Sequence, residues 1–533
     1  MNIRKIYNSR RFYFYITVFL AVSLPLSIYT TSIAEIALLV NWLLDAKFAQ
    51  KWRQLKNRKA VIFLVSIYFL HILGLLYTEV FNYGYAIHDL KIKLPTLFLP
   101  IIFATSEVFS KKELKTILIL FSLATLSSTL ISFGVFLGII PYEYYDFRDI
   151  SIFISNIRLS LMVNMSFFIL LYYIFHSEKS LRMQKVWNGV AILGLLWFLF
   201  FLILLKSITG LFILVLLILV LAWYFSSRID DVAPKFIIRV LVITIPLIIA
   251  SFITHSIGKF YYTPEIVFSE LEHTSQEGNL YFHDTTRVAR ENGNYVWIYL
   301  CEKELRREWN NVSTFDYDGH DNKKQRIRYT LIRYLTSLGE RKDANGIESL
   351  SQEDIRAIEN GNANYIFNKR FGLYPRIYEI IWEIDGYLHG GDPSGHSVAQ
   401  RIAYLKAAKA IIHDNWLIGV GTGDVQYSFN QNYETSDSKL NVNYRRRAHN
   451  QYITFILSFG IVGFVIVMFA LFAPVFIENK WKDYLFMVFF IIGMVSMLNE
   501  DTLETQTGVS FFMFFYSLLL FSREGNGERK SLK

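Results

Sequence analysis

The chain has 533 residues, of which 53% are hydrophobic and 17% aromatic, with a formal net charge of +9. Its mean hydropathy of +0.31 is too positive for a soluble domain of this size, and its apolar residues come in long blocks rather than at periods of 2 or 3.6. The basic excess sits in short clusters between those blocks, while residues 255–450 are near charge balance; this excludes nucleic-acid binding as the reason for the charge and points to cytoplasmic membrane loops.

At the N-terminus Arg4, Lys5, Arg10 and Arg11 precede an apolar run from Phe12 to Tyr29. The run is longer than a signal-peptide core. Its only small-x-small pattern is Ser32-Ile33-Ala34, and a second apolar stretch follows at once, so an uncleaved first span is expected. Hydropathy places spans at 12–29, 32–46, 60–77, 91–106, 114–139, 157–175, 187–205, 208–225, 237–255, 450–477, 483–499 and 507–522. The apolar stretch from Val190 to Phe225 is too long for one span and is split at Lys206-Ser207-Ile208-Thr209-Gly210. The fold class expected is all-α, a polytopic membrane protein of about twelve transmembrane helices.

Lysine and arginine concentrate in the N-terminus, 47–59, 111–115, 179–185, 228–239, 480–482 and the C-terminus, whereas the opposite loops carry Lys91, Lys93, Arg148 and little else. Both termini are therefore expected in the cytoplasm. The 256–449 segment, the 206–210 turn and the acidic 499–506 turn then lie on the outer, periplasmic face. Three regions follow: membrane spans over 1–255, a loop domain over 256–449, and membrane spans with a cytoplasmic tail over 450–533. Within the loop, Tyr374, Ile377, Ile381 and Ile384 recur at helical spacing, so a mostly helical cap is expected. The lone cysteine, Cys301, reads as an incidental thiol.

The chain has no P-loop, GxSxG, HExxH or CxxC pattern. Any catalysis is therefore expected to be metal-independent and cofactor-free, using basic groups and a histidine. The richest stretch is 398–463. It opens with a helix whose expected apolar face is Ile402, Leu405, Ala408 and Ile412, with Arg401, Lys406, Lys409 and His413 on the other side. Asp414-Asn415-Trp416-Leu417-Ile418-Gly419-Val420-Gly421-Thr422-Gly423-Asp424 follows, and its alternating glycines suit a turn or a close backbone approach. Arg445-Arg446-Arg447-Ala448-His449-Asn450-Gln451-Tyr452 then opens span ten. Arg445 to Arg447 fit a solvated rim or a lipid head-group contact as well as a substrate role. His449 alone reads as an interfacial histidine as readily as a base. Arg158, near the outer end of span six, and Lys206 suit either snorkelling or a polar cavity. Glu500, Asp501 and Glu504 suit either positioning a substrate or solvating their turn.

Arg401, the Asp414–Asp424 segment and the run from His449 to Phe464 together resemble the signature region of the O-antigen ligase and polymerase superfamily. The closing Leu498–Leu520 segment is similar to members from Bacteroidetes-type bacteria. The resemblance implies a GT-C-like glycosyltransferase of the bacterial inner membrane. Such an enzyme takes a glycan from a polyprenyl diphosphate carrier at the periplasmic face. A ligase passes it to a sugar hydroxyl of lipid A–core; a polymerase passes it to another carrier-linked repeat. The family's loop arginine and histidine map onto Arg401 and His449. Its second arginine usually lies in a Ser-Arg-Gly-like turn, where Thr209 stands here, so Lys206 and Arg158 are the candidates for the second charge. Gly421, Gly423, Asp424, Arg447 and Asn450 complete the expected substrate-contacting set, with Arg158, Lys206 and Thr209. Lipid bilayer, glycan donor and glycan acceptor are the implied partners, and nucleic acid is not among them. The ligase reading stands slightly ahead of the polymerase. A transporter with an extracellular cap is the alternative from another class, disfavoured because the sequence shows no internal repeat and charges buried mid-span are nearly absent.

Overall fold

The computed structural model describes residues 8–521 apart from 145–146, 177–180, 263–265, 288, 369–372 and 437. Arg4, Lys5, residues 179 and 180 of one basic cluster, and the C-terminal tail from 522 lie outside the described residues. Nine helices come first: α1 (Ser9–Ser23), α2 (Ile28–Leu44), α3 (Phe48–Asn57), α4 (Ala60–Leu73), α5 (Tyr83–Thr105), α6 (Lys111–Phe136), α7 (Asn156–Phe175), α8 (Leu181–Leu204) and α9 (Ile208–Ser226). Next are α10 (Val232–Tyr261), α11 (Glu302–Val312), α12 (Ile327–Leu338), α13 (Ala344–Glu348), α14 (Gln352–Glu359) and α15 (Leu373–Leu388). The chain ends with α16 (Ser397–Asp414), α17 (Val425–Thr435), α18 (Gln451–Ile477), α19 (Tyr484–Ser496) and α20 (Gln506–Phe521). One two-residue hairpin, β1 (Arg290–Glu291) and β2 (Asn294–Tyr295), supplies the strands assigned among the described residues.

Each of the twelve apolar segments contains a helix, and the expected break falls at 205–207 between α8 and α9, with Ile208, Thr209 and Gly210 opening α9. Among the described residues, seven helical segments are long and apolar enough to cross a membrane: 60–77, α6, α7, 183–204, α9, α10 and α18. Helices α2, α19 and α20 are apolar but shorter. The chain is therefore an all-α polytopic membrane protein.

Two compact units emerge, one from residues 1–228 and 393–533, the other from 229–392. In the first, α20 is the axis. Every residue from Thr507 to Phe521 is buried, as befits a helix that is apolar all round. Its aromatic rings interlock with those of α19, with Phe489 and Phe515 stacked at 5.9 Å. Gly493 lets α19 approach Phe512 so closely that a Cβ would sit 2.5 Å from the ring. Close packing of this kind, rather than water exclusion, holds helices together in lipid.

Two sequence expectations need correcting. Lys93 does not belong to an outer loop. Helix α5 starts at Tyr83, eight residues earlier than expected, and carries Lys93 into the interior at 2% exposure. The ion pairs that permit this are to Asp89 at 2.5 Å and Glu504 at 2.8 Å, since a buried charge persists only when paired. On α16 the buried stripe is Ala399, Ala403, Tyr404, Ala407, Ala408 and Ile411, and Leu405 is exposed. Its alanines let the helix lie close to its neighbours in a core shared with Phe429 and Tyr433 of α17 and Leu457 of α18.

The second unit holds a core around Trp309, Leu331, Tyr334 and Leu335. The β1–β2 turn uses Asn292 and Gly293, both at positive φ (52° and 87°), the pattern of a tight hairpin. Cys301 is buried and unbridged. Helix α10 is apolar along 30 residues, and none of its most apolar window is buried.

Candidate functional site

The site is assembled on the turn between α19 and α20. Glu500, Asp501 and Glu504 are all buried, at 4%, 7% and 8% exposure, so none of them merely solvates the turn. Buried carboxylates require cations or donors, and each finds them on another element.

Glu500 is the hub. Arg158, in the first turn of α7, donates from Nη1 to Glu500 Oε2 at 3.2 Å and from Nη2 to the Asp501 carbonyl at 3.4 Å. Arg401, in the first half of α16, donates from Nη2 to Glu500 Oε1 at 3.1 Å. The His449 ring places Nδ1 at 3.9 Å from Glu500 Oε2, outside direct hydrogen-bond range but close enough for charges to couple. Three basic side chains separated by up to 291 residues of sequence thus converge on one carboxylate. Burial pushes the Glu500 carboxyl up, but the polar contact with His449 and the charges of Arg158 and Arg401 outweigh it and hold it below the usual range.

His449 is held by unusual backbone. Its φ is 49°, a left-handed conformation that costs a non-glycine residue on the order of 1 kcal/mol. The next residue, Asn450, caps α18 by accepting from Ile453 N at 3.1 Å and donates to the Leu498 carbonyl at 2.8 Å. Tyr404 lies beside the imidazole with ring centroids 5.6 Å apart, and its hydroxyl donates to the Tyr444 carbonyl at 2.7 Å. Packing and capping therefore fix the ring. The side chains of His449 and Arg401 remain 30% and 31% exposed, so a ligand can reach both.

Glu504 anchors a second cluster. Lys93 donates to it at 2.8 Å, Arg447 at 3.1 Å and Gln451 at 2.9 Å. Burial pushes the Glu504 carboxyl up, but the charges of Lys93 and Arg447, with the hydrogen bonds from Lys93 and Gln451, outweigh it and hold the carboxyl far below its ordinary range. Asp501 accepts from Thr454 at 2.7 Å, and there burial prevails, so its carboxyl is raised.

The α8–α9 turn adjoins Glu500. Ser207 caps α9 by accepting from Gly210 N at 3.2 Å. Asn164 of α7 donates to the Gly210 carbonyl at 3.0 Å. Thr209 accepts from Asn499 at 2.7 Å, which ties this turn to the residue preceding Glu500. Lys206 is half-buried in the same turn, at φ 49°.

The 416–424 segment does different work. Val420 N and Gly421 N donate to the Leu457 and Ser458 carbonyls at 2.8 and 3.0 Å, and Ile461 N donates to the Trp416 carbonyl at 2.9 Å. Gly423 N donates to Thr78 at 3.1 Å. Asp424 accepts from Glu79 N at 2.9 Å and Asn82 at 2.6 Å. Side chains at Gly421 and Gly423 would collide with Thr78 at 2.8 and 2.5 Å. The close approach that these glycines permit is to the chain itself.

Of the residues singled out from sequence, Arg158, Arg401 and His449 meet at Glu500. Thr209 and Asn450 bond its flanking residues Asn499 and Leu498, and Arg447 pairs with Glu504. Gly421, Gly423 and Asp424 pack on residues 78–86. Glu500 itself was legible only as one of three acids in a turn. What distinguishes it is its burial between α19 and α20, which only the structure shows.

No curated protein matches the chain. A family model described as O-antigen ligase matches residues 360–468. That segment supplies both Arg401 and His449, so the stretch that carries them is similar to the O-antigen ligase family.

Proposed function

We propose that the chain is an O-antigen ligase: a glycosyltransferase of the bacterial inner membrane that moves a glycan from a polyprenyl diphosphate carrier to a sugar hydroxyl of lipid A–core. The convergence of Arg158, Arg401 and His449 on Glu500 carries this reading. In it the architecture is GT-C-like with twelve crossings, residues 256–449 form the periplasmic loop domain between membrane regions 1–255 and 450–533, and both termini are cytoplasmic.

The chemistry follows from the groups present. The acceptor oxygen attacks the anomeric carbon as its bond to the diphosphate breaks, inverting that centre. The leaving diphosphate takes up negative charge, which Arg401 and Arg158 neutralise; a guanidinium does this by bidentate contact and needs no metal. With Nδ1 facing Glu500, the favoured tautomer carries its proton there, so Nε2 is free to take the proton of the hydroxyl. Lys206 lies in the turn beside this cluster as a further cation for the diphosphate.

His449→Ala is expected to abolish glycan transfer at normal protein levels, and Arg401→Lys to be severely impaired. A gel of lipopolysaccharide from a deletion strain complemented with each variant reads this, and full-length ladders with His449→Ala would remove the base. The same gel separates ligase from polymerase, because loss of a polymerase leaves single repeats on lipid A–core whereas loss of a ligase leaves none. The domain match lends no support to a transporter.

A further inference from the structure

The unit formed by residues 229–392 contains a cavity of about 610 Å³. Nothing in the transfer chemistry uses it. Its size is that of pockets that hold ligands of drug-like dimensions.

Three helices, α10, α12 and α15, and the β1–β2 hairpin build its walls. Helix α12 contributes Tyr329 and Arg333, four residues apart on one face, and α15 contributes Trp382 and Asp385, three apart, with His389 just past its end. Trp297, just after β2, completes an aromatic wall, its ring 6.4 Å from that of Tyr329 and edge-on to it. The Arg333 guanidinium lies 5.5 Å from the centre of the Trp382 ring.

The polar groups are balanced in sign. Arg333 pairs with Glu291 at 2.6 Å. Asp385 accepts from the Tyr261 hydroxyl at 2.9 Å. The lining carries two guanidiniums, Arg290 and Arg333, and two carboxylates, Glu291 and Asp385, so the cavity offers ring faces bordered by donors and acceptors rather than the net positive charge that suits a phosphate. A purely hydrocarbon ligand would leave those polar groups unmatched. A pyranose matches both features: its C–H faces lie against the negative faces of aromatic rings, and its rim of hydroxyls meets carboxylate and guanidinium.

We infer that this cavity is a binding subsite for an uncharged oligosaccharide. It rests on the glycan-transfer reading only for where the sugar comes from, as the outer part of donor or acceptor; the binding itself stands on the cavity.

The test is calorimetric titration of the full-length protein in detergent with neutral gluco-, galacto- and manno-oligosaccharides of two to four units. At least one series is expected to bind saturably. Tyr329→Ala and Trp382→Ala should each weaken it tenfold or more, while Trp382→Phe, which keeps a ring, stays within a few-fold of wild type and guards against misfolding. No binding by any series, or equal binding by Tyr329→Ala and Trp382→Ala, overturns the inference. His449→Ala should bind normally. Were that variant still to transfer glycan, the proposed reaction would fall and the binding result would stand.

Discussion

A carboxylate between two guanidiniums and an imidazole can serve two ends. It offsets the charges of Arg158 and Arg401, and in the proposed reaction it would favour a proton on the His449 nitrogen that faces it. Glu500→Gln keeps the shape and removes the charge. Transfer with a defined donor is expected to fall roughly 100-fold, within the range that positioned acid–base groups supply. The pH behaviour follows from the lowered carboxyl. A carboxyl held below its unfolded value stabilises the fold fully above that value, about 4.3 for glutamate, and the stabilisation is lost as pH falls through the folded value. Wild type should therefore lose melting temperature on acidification below about pH 4, more steeply than Glu500→Gln; parallel curves would remove the linkage. Arg401 and His449 were singled out in the sequence because the segments that carry them resemble a family signature. Glu500 was not, because sequence alone cannot tell an acidic turn in water from one shut between α19 and α20.

At the scale of elements, the sequence showed where helices lie better than which side they bury. The apolar residues of α16 suggested a stripe through Leu405, but the small residues decide, since alanines bring the helix close to its neighbours while Leu405 faces outward. Likewise α5 begins early because Lys93 has Glu504 waiting for it, a partner 411 residues away. Gly460 interrupts α18 with φ 61° and ψ −169°, and a Cβ there would lie 2.2 Å from the Leu417 carbonyl carbon. Gly460→Ala thus meets both backbone strain and a backbone clash. It should cost more than the ~1 kcal/mol of an ordinary glycine replacement, read as a fall of several degrees in melting temperature in detergent. A melting temperature equal to wild type would show that the kink is not needed.

For the whole molecule the open quantity is orientation. We propose from the positive-inside pattern that 480–482 lie in the cytoplasm and the 256–449 segment outside. Buried Cys301 gives a low labelling background, so single cysteines can report. Ser436→Cys should react with a membrane-impermeant maleimide on intact spheroplasts, and Lys482→Cys only after permeabilisation, both positions being exposed. The opposite pattern would invert the topology and put His449 on the wrong side for a periplasmic reaction. Charge bias in loops was enough to frame this expectation. The division of the chain into two compact units at 229 and 393 was not legible, because unit boundaries depend on contacts that close only in three dimensions.

The break in α18 also bears on how the protein is made. Its opened carbonyls at Leu457 and Ser458 are satisfied by Val420 and Gly421, residues that leave the ribosome some forty positions earlier. Until that strap has docked, the helix enters apolar surroundings with bare backbone oxygens. A chain shortened through 416–421 would leave the Leu457 and Ser458 carbonyls without these donors, and is expected to accumulate to a lower level in membranes than the full chain, as read by immunoblot.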